Sequence, residues 1–238
     1  MHNKTKIVAT LGPASAKRGE LRLMMLAGAS VFRINGAHGS PEENKKTIDL
    51  VREVSHSTGI PAAVLVDLPG PKYRIGRLAN EPMSLRSGDR IELLCSSKVQ
   101  RGNAIPVPHN IAKNIRPGNK IFINDGMVEL SVVKVEGRII FARVKTGGEI
   151  RSNKGINLPG TKLTTAALTK KDREILDFAI RNDADFVGLS FVRTRSNILA
   201  LRRMLKRRAP HIGIIAKIEK PEALADLEGI VDAADAVM

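Results

Sequence analysis

Ile212-Gly-Ile-Ile-Ala-Lys217-Ile-Glu219-Lys-Pro221-Glu-Ala-Leu224 is the stretch on which the fold turns. Ile212 to Ile218 is a near-continuous apolar run of strand length, the pattern of a parallel strand covered on both faces. Lys217 and Glu219 interrupt it at its carboxyl end. Two apart on a strand, they point to one side. Pro221 and Glu222 then open an apolar-periodic segment from Ala223 to Ile230, read as one helix with an acidic first turn. Charged side chains at the carboxyl end of a buried parallel strand are where α/β barrels keep their chemistry. The ammonium can stabilise a developing anion, and the carboxylate can hold a hard divalent cation. A purely structural Lys–Glu pair is the alternative, and this stretch alone leaves both open.

Upstream, the same grammar recurs. Lys6 to Leu11 and Val31 to Asn35 read as strands, and Glu20 to Ala27 between them reads as a helix stopped at Gly28. Ser40 and Pro41 start a second helix that runs to about Thr58 and ends at Gly59. Ala62 to Leu68 is a third buried strand with Asp67 near its carboxyl end. Strand alternating with helix argues a parallel sheet with crossover helices.

At Pro69-Gly70-Pro71 the pattern changes. Short alternating strands follow, among them Ile91 to Leu94, Lys120 to Asn124, Met127 to Val135 and Arg138 to Val144, with a hairpin turn at Glu136-Gly137. The domain reading is therefore a first α/β part at 1–71, an inserted β-rich domain at 72–155 and a continuation of the α/β part at 156–238. In that continuation Thr169 opens a helix, Asp185 to Phe191 is a fourth strand tipped by Ser190 and Arg193, and Ser196 to Arg208 is a basic helix. Ala233 to Met238 begins a sixth strand. A closed (β/α)₈ barrel takes about 250 residues, and the α/β parts here supply about five units. The fold class is α/β: an incomplete (β/α)₈ TIM barrel with an inserted all-β, barrel-like domain.

Composition narrows the function. The 238 residues are 42% hydrophobic, ordinary for a globular core. A single cysteine, Cys95, excludes a disulfide framework. No apolar run approaches membrane-spanning length and the first residues lack a signal-peptide core, so the expectation is a cytoplasmic protein without membrane attachment. Net charge is +15, which suits polyanions. Yet aromatics make up 3%, with one Tyr and no Trp, so single-strand stacking platforms are scarce. The densest basic run, Arg202, Arg203, Lys206, Arg207 and Arg208, interleaves with Leu201, Met204 and Leu205 at helical spacing. It reads as a solvated helix face rather than a nucleic-acid patch.

The residues now assembled resemble the pyruvate kinase family over nearly the whole chain. Lys6 to Ser15 looks like that family's opening strand, and Phe32 to Gly39 is similar to its Arg-Leu-Asn-Phe-Ser-His-Gly motif. Asp67 to Arg74 resembles the Asp-Thr-Lys-Gly-Pro-Glu-Ile-Arg segment before the family's inserted B domain. Lys154 to Gly160, Leu189 to Arg193 and Ala216 to Glu219 complete the series in order. The resemblance implies phosphoryl transfer from phosphoenolpyruvate to ADP, giving pyruvate and ATP in glycolysis. It implies Lys217 at the transferring phosphoryl and the enolate oxygen, Arg33 on the phosphoryl group, and Glu219 on Mg²⁺ or Mn²⁺. Asn35 and Asp67 would shape the same pocket, His38 and Arg74 would lie on the nucleotide side, and Ser190 and Lys154 would lie near the site. A full-length enzyme of this kind is expected to be a homo-oligomer.

The chain also departs from the family pattern. Where the family often holds potassium with Asn, Ser, Asp and Thr oxygens, Ala37 and Leu68 stand in place of Ser and Thr. Lys72 replaces a Glu, and its ammonium can substitute for a bound monovalent cation. The expectation is no K⁺ requirement. Gly36 replaces a bulky aromatic and is expected to loosen the turn. The family's second metal-binding carboxylate, in Ala-Arg-Gly-Asp, falls just past the point matching Met238. Glu219 alone is a poor Mg²⁺ site, so little or no kinase activity is expected from these 238 residues by themselves. Lyases of the phosphoenolpyruvate and pyruvate barrel superfamily lack the insertion after the third strand. A non-catalytic relative that binds a partner or RNA through its basic surface is the other reading.

Overall fold

The computed structural model describes residues 5–71, 73–96, 104–161 and 168–238. It divides into two compact units, Met1–Pro71 with Ala166–Met238, and Lys72–Thr165. The inserted unit thus runs past 155, because strand Gly155–Asn157 pairs with Tyr73–Arg74 and with Phe122 and Ile123.

In the first unit the chain alternates strictly. β1 (Ile7–Thr10), α1 (Arg18–Leu26), β2 (Ala29–Asn35), α2 (Pro41–Thr58) and β3 (Ala63–Leu68) precede the insertion. α3 (Lys170–Arg181), β4 (Phe186–Leu189), α4 (Arg195–Leu205), β5 (Gly213–Ala216), α5 (Leu227–Ala233) and β6 (Ala236–Val237) follow it. The six strands are parallel, and each lies beside its neighbour in sequence. This is the wall of an incomplete (β/α)₈ barrel, with six strands among the described residues. Ile7 and Val8 on β1 and Val237 on β6 are exposed, the apolar edge expected of an open wall. Among the described residues no helix is long and apolar enough to cross a membrane.

Alternation along each strand sorts the side chains. Phe32, Ile34, Val64, Val66 and Leu68 face the helices and join one core with Ile48, Val51 and Leu176. Arg33, Asn35, Leu65 and Asp67 take the opposite face, since successive side chains alternate. α2 is bounded as its sequence requires. Ser40 and Glu43 form a reciprocal capping box, Pro41 sits at the first position, and Gly59 takes φ 65° at the end. α3 begins with the equivalent box from Thr169 and Asp172.

The segment after β5 is not one helix. A 3₁₀ turn spans Pro221–Asp226 and α5 begins only at Leu227. Asp226 leaves the helical region (φ −130°, ψ 30°), and its carboxylate accepts the Arg195 backbone N–H at 2.7 Å. Thr194 makes no side-chain cap for α4, so Asp226 of the next unit caps that helix.

At the amino ends of the strands one arrangement occurs twice. Asp185 accepts the Val64 N–H at 2.6 Å and pairs with Arg52 of α2 at 2.8 Å. Arg52 also donates to the carbonyls of Ala62 and Asp183. Two units later Asp235 accepts the Ile214 N–H at 2.6 Å and pairs with Arg202 of α4 at 3.0 Å. Arg202 donates to the Ala233 carbonyl at 2.7 Å. Each clasp ties a helix to the start of two neighbouring strands. Arg202 and Arg208, the latter paired with Asp177, are thus engaged, whereas Arg203, Lys206 and Arg207 lie on the exposed face of the basic segment.

Among the described residues the second unit is β-rich, with one 3₁₀ turn at Ile111–Asn114. Its seven-stranded sheet includes the antiparallel set Lys120–Ile123, Val128–Glu136, Ile139–Thr146 and Arg90–Leu94, with Gly137 (φ 57°) turning the hairpin. A separate core of Leu93, Ile121, Ile123, Leu130 and Ile140 holds it together, with Cys95 buried at its edge.

Candidate functional site

Strand register carries the site. Asn35 on β2 stands opposite Asp67 on β3, which stands opposite Gly188 on β4. Beyond the strand ends the ladder continues for one residue: Ser190 N–H donates to the Leu68 carbonyl and Lys217 N–H to the Leu189 carbonyl. Polar side chains from β2, β3, β4 and β5 therefore converge at the carboxyl end of the wall.

At its centre is Asp67, 3% exposed. Lys217 Nζ lies 3.1 and 3.2 Å from its two carboxylate oxygens and 2.8 Å from Ser190 Oγ. Arg33 Nε donates to Asp67 Oδ2 at 3.2 Å, and its Nη2 pairs with the same oxygen. Arg33 Nη1 also reaches Thr10 Oγ1 on β1 at 3.0 Å. Glu219 Oε1 is 3.2 Å from the Lys217 ammonium, and its Oε2 accepts the Phe191 N–H at 3.0 Å. Two cations thus share one buried carboxylate, with a second, more exposed carboxylate beside one of them. Arg33 and Asp67 do form the ion pair that a structural role would require, but Lys217 and Ser190 join it, which a simple pair does not need.

Gly188 makes room for this cluster. A Cβ there would sit 3.2 Å from Asp67 Oδ1 and 3.7 Å from Lys217 Cδ. Neither Gly188 nor Asp172 stood out in the sequence as part of the site. The carboxylate of Asp172, fully buried, accepts the Thr169 N–H and O–H and also the Gly70 N–H at 2.9 Å. The Thr-x-x-Asp spacing of a capping box was the available signal.

The turn after β2 is tight rather than loose. Gly36 N–H donates to the Asp67 carbonyl, His38 N–H to the Asn35 carbonyl, and Ala37 N–H to Asn35 Oδ1, each at 3.1 Å. A Cβ on Gly36 would lie 2.6 Å from the Asp67 carbonyl oxygen and 2.7 Å from Ile175 Cγ2, so close packing explains the glycine. Asn35 thereby shapes the turn beside the cluster. His38 is exposed, with its carbonyl held by Asn44.

Arg74 and Lys154 belong to the β-rich unit. Arg74 Nη1 donates to the Asn153 carbonyl at 2.9 Å, and the Lys154 carbonyl accepts the Ile75 N–H at 2.9 Å. Lys72 lies outside the described residues. Lys171 Nζ, however, is 3.3 Å from the carbonyl of Ala37, so an ammonium does sit at that turn.

Beyond Glu219, burial pushes the Lys220 ammonium down from its ordinary pKa; Glu222 opposes the shift and Arg193 adds to it. Among the described residues no group of three or more His, Cys, Asp or Glu side chains forms a metal cage. Glu219 offers one carboxylate, the donor set of a cation that takes its other ligands from substrate oxygens and water.

Comparison with known proteins then decides the family. The model described as "Pyruvate kinase, barrel domain" matches residues 2–238. This chain belongs to the pyruvate kinase family. It is 38% identical over 237 residues to a pyruvate kinase of Thermococcus litoralis, covering 99% of the chain and 50% of that relative. A pyruvate kinase of Agrobacterium vitis is 39% identical, with 100% of the chain and 50% of the relative covered. One from Geobacillus stearothermophilus is 37% identical, with 100% and 41% covered. The chain thus spans about half, or somewhat less, of the length of these pyruvate kinases.

Proposed function

We propose that the barrel unit carries the phosphoryl-donor side of a pyruvate kinase active site, where phosphoenolpyruvate gives its phosphoryl group to ADP. The observation that carries this reading is the sharing of Asp67 by Lys217 and Arg33. Phosphoryl transfer needs charge and positioning more than covalent chemistry. Asp67 fixes two cations a few ångströms apart in a semi-buried site. At an effective dielectric constant of about 20, a charge about 4 Å away contributes roughly 4 kcal/mol.

In the reaction an ADP β-phosphate oxygen attacks phosphorus while the bond from phosphorus to the enol oxygen breaks. Its electron pair passes to that oxygen. Arg33 steadies the phosphoryl oxygens and Lys217 the developing enolate, which then takes a proton on its methylene carbon to give pyruvate. Glu219 is the residue that would hold Mg²⁺ or Mn²⁺. When bound, the divalent cation supplies further neutralising charge to the phosphoryl oxygens. Asn35 and Ser190 shape the same pocket, and His38 lies on its nucleotide side. No K⁺ is required: positions 37 and 68 carry no side-chain oxygen, Lys72 stands as the cation substitute, and the Lys171 ammonium lies at the Ala37 carbonyl.

The test is calorimetric titration of the 238-residue chain with phosphoenolpyruvate in the presence of Mn²⁺. Saturable binding that Lys217→Met and Arg33→Met each weaken at least tenfold is expected. Hydrogen bonds to charged groups contribute about 1.5–3 kcal/mol, a factor of roughly ten or more. Absence of phosphoenolpyruvate binding, together with steeply salt-dependent RNA binding, would instead support the non-catalytic reading. The same phosphoenolpyruvate titration with and without K⁺ checks the cation expectation: the affinity should not change.

A further inference from the structure

Phe191 is one of few non-glycine residues with left-handed backbone (φ 54°), and it directly follows Ser190 at the tip of β4. A bulky residue adopts that conformation at a cost and holds it only where its surroundings impose it. The result here is specific: the Phe191 N–H turns toward Glu219 and donates to Oε2 at 3.0 Å, leaving Oε1 beside Lys217. One face of the turn is pressed by Gly70. A Cβ on Gly70, itself at φ 64°, would stand 3.0 Å from the Ser190 carbonyl oxygen and 3.2 Å from Phe191 Cδ2. The Phe191 ring is also met by the Lys220 ammonium, 5.5 Å from its centroid.

Gly70 is held in turn. Its N–H is bound by Asp172, whose other oxygen is saturated by the N–H and O–H of Thr169 at the start of α3. Among the described hydrogen bonds and ion pairs Asp172 makes none with Lys217, Arg33 or Glu219, and the helix cap explains two of the three bonds its carboxylate accepts. The third comes from Gly70.

From this geometry we infer that Asp172 is a positioning residue for the Glu219 carboxylate, acting through Gly70 and the Ser190–Phe191 turn. The inference rests on Glu219 being the metal-binding carboxylate of the proposed kinase site. A buried acid on α3 anchors the loop after β3; that loop bears on the turn after β4, and the turn aims one N–H at Glu219. Oε2 is thereby occupied, and Oε1, beside Lys217, is the oxygen that would serve a divalent cation. The outer partners of a metal-binding carboxylate commonly set affinity by a factor of about 10–100.

Amide hydrogen exchange on the ¹⁵N-labelled 238-residue chain tests this without substrate or turnover. In the wild type the Phe191 amide is expected to be protected, and Glu219→Gln to shift it. Asp172→Asn and Gly70→Ala should each speed its exchange at least tenfold while the Val187 amide, within β4, stays protected. Mn²⁺ affinity, titrated separately with phosphoenolpyruvate present, should fall about tenfold in both variants. Unchanged Phe191 exchange in Gly70→Ala, or in Asp172→Asn if it folds, would overturn the proposal. So would no response to Glu219→Gln, or loosening of Val187 together with Phe191. Failure of phosphoenolpyruvate to bind would count against the kinase reading and leave the amide result standing.

Discussion

Lys217 and Asp67 are joined at both carboxylate oxygens, 3.1 and 3.2 Å from the ammonium, although 150 residues and the whole β-rich insertion separate them in the chain. The same carboxylate holds Arg33, so deleting it strands two cations in a largely buried position. Asp67→Ala is expected to destabilise the barrel unit by about 3 kcal/mol, the scale seen when one partner of a buried pair is removed. Asp67→Asn, which keeps an acceptor oxygen and the volume, should cost less. Urea denaturation of both variants measures the difference.

Gly36 faces the Asp67 carbonyl oxygen and the Ile175 side chain with no space for a methyl group. Gly36→Ala should therefore cost about 1–3 kcal/mol by overpacking. In a double-mutant cycle Ile175→Ala should relieve part of that cost, an interaction of about 0.5–3 kcal/mol. A residual penalty should persist, because the Asp67 carbonyl is backbone and cannot retreat. Strict additivity in denaturation midpoints would refute the steric account.

The Arg52–Asp185 and Arg202–Asp235 clasps are each more than a third exposed, so their electrostatic contribution is discounted to about 1 kcal/mol. Arg52→Met and Arg202→Met should each cost that much, and the two should add because the clasps share no residue. Asp185→Ala and Asp235→Ala should cost more, about 2 kcal/mol, since each also leaves a backbone N–H without its acceptor. Thermal melts of the four single variants and the double arginine variant give the comparison. Phosphoenolpyruvate affinity should not move, because both clasps lie at the opposite end of the strands.

Cys95 is 2% exposed, and burial pushes its thiol above the ordinary 9.0 against opposing effects from Ala112, Ile111 and Arg138. In the unfolded chain the thiol ionises at the ordinary value; in the folded unit it resists. The folded state therefore binds the extra proton between the two values, and stability falls as pH rises through that window. Below the ordinary value the contribution is complete. Cys95→Ala should flatten the loss above pH 9, seen as a smaller drop in urea midpoint on raising the pH. An equal drop in both proteins would refute it.

The barrel wall was legible because its signal is local and repeated. Apolar runs of strand length, bounded by Ser40, Pro41 and Gly59 or by Thr169, leave little choice of element. The sequence places Arg33, Asp67, Ser190, Lys217 and Glu219 each at a strand end, and the parallel register gathers Arg33, Ser190 and Lys217 around Asp67, with Glu219 beside Lys217. What the sequence hid depends on contacts between distant segments. Asp226 reads as an ordinary helical residue until Arg195 is seen to need an acceptor. Gly188 reads as a weak point in a strand until the Asp67 carboxylate is seen to occupy its missing side chain's place. The boundary at 155 was misplaced because Gly155–Asn157 is too short to show alternation and is fixed only by its partners. The two clasps leave a faint trace, Ile48 to Arg52 against Ile198 to Arg202 and Asp185 to Val187 against Asp235 to Val237. That correspondence becomes visible only once the pairs are known.

Asp226 starting a helix that is not its own makes adjacent units interdependent. If the 3₁₀ turn at Pro221–Asp226 opens, α4 loses the acceptor at its first turn and frays from that end, loosening the wall on both sides of β5. The segment that carries Glu219 therefore cannot breathe alone: cooperativity in this half of the wall is enforced by a borrowed cap rather than by core packing alone.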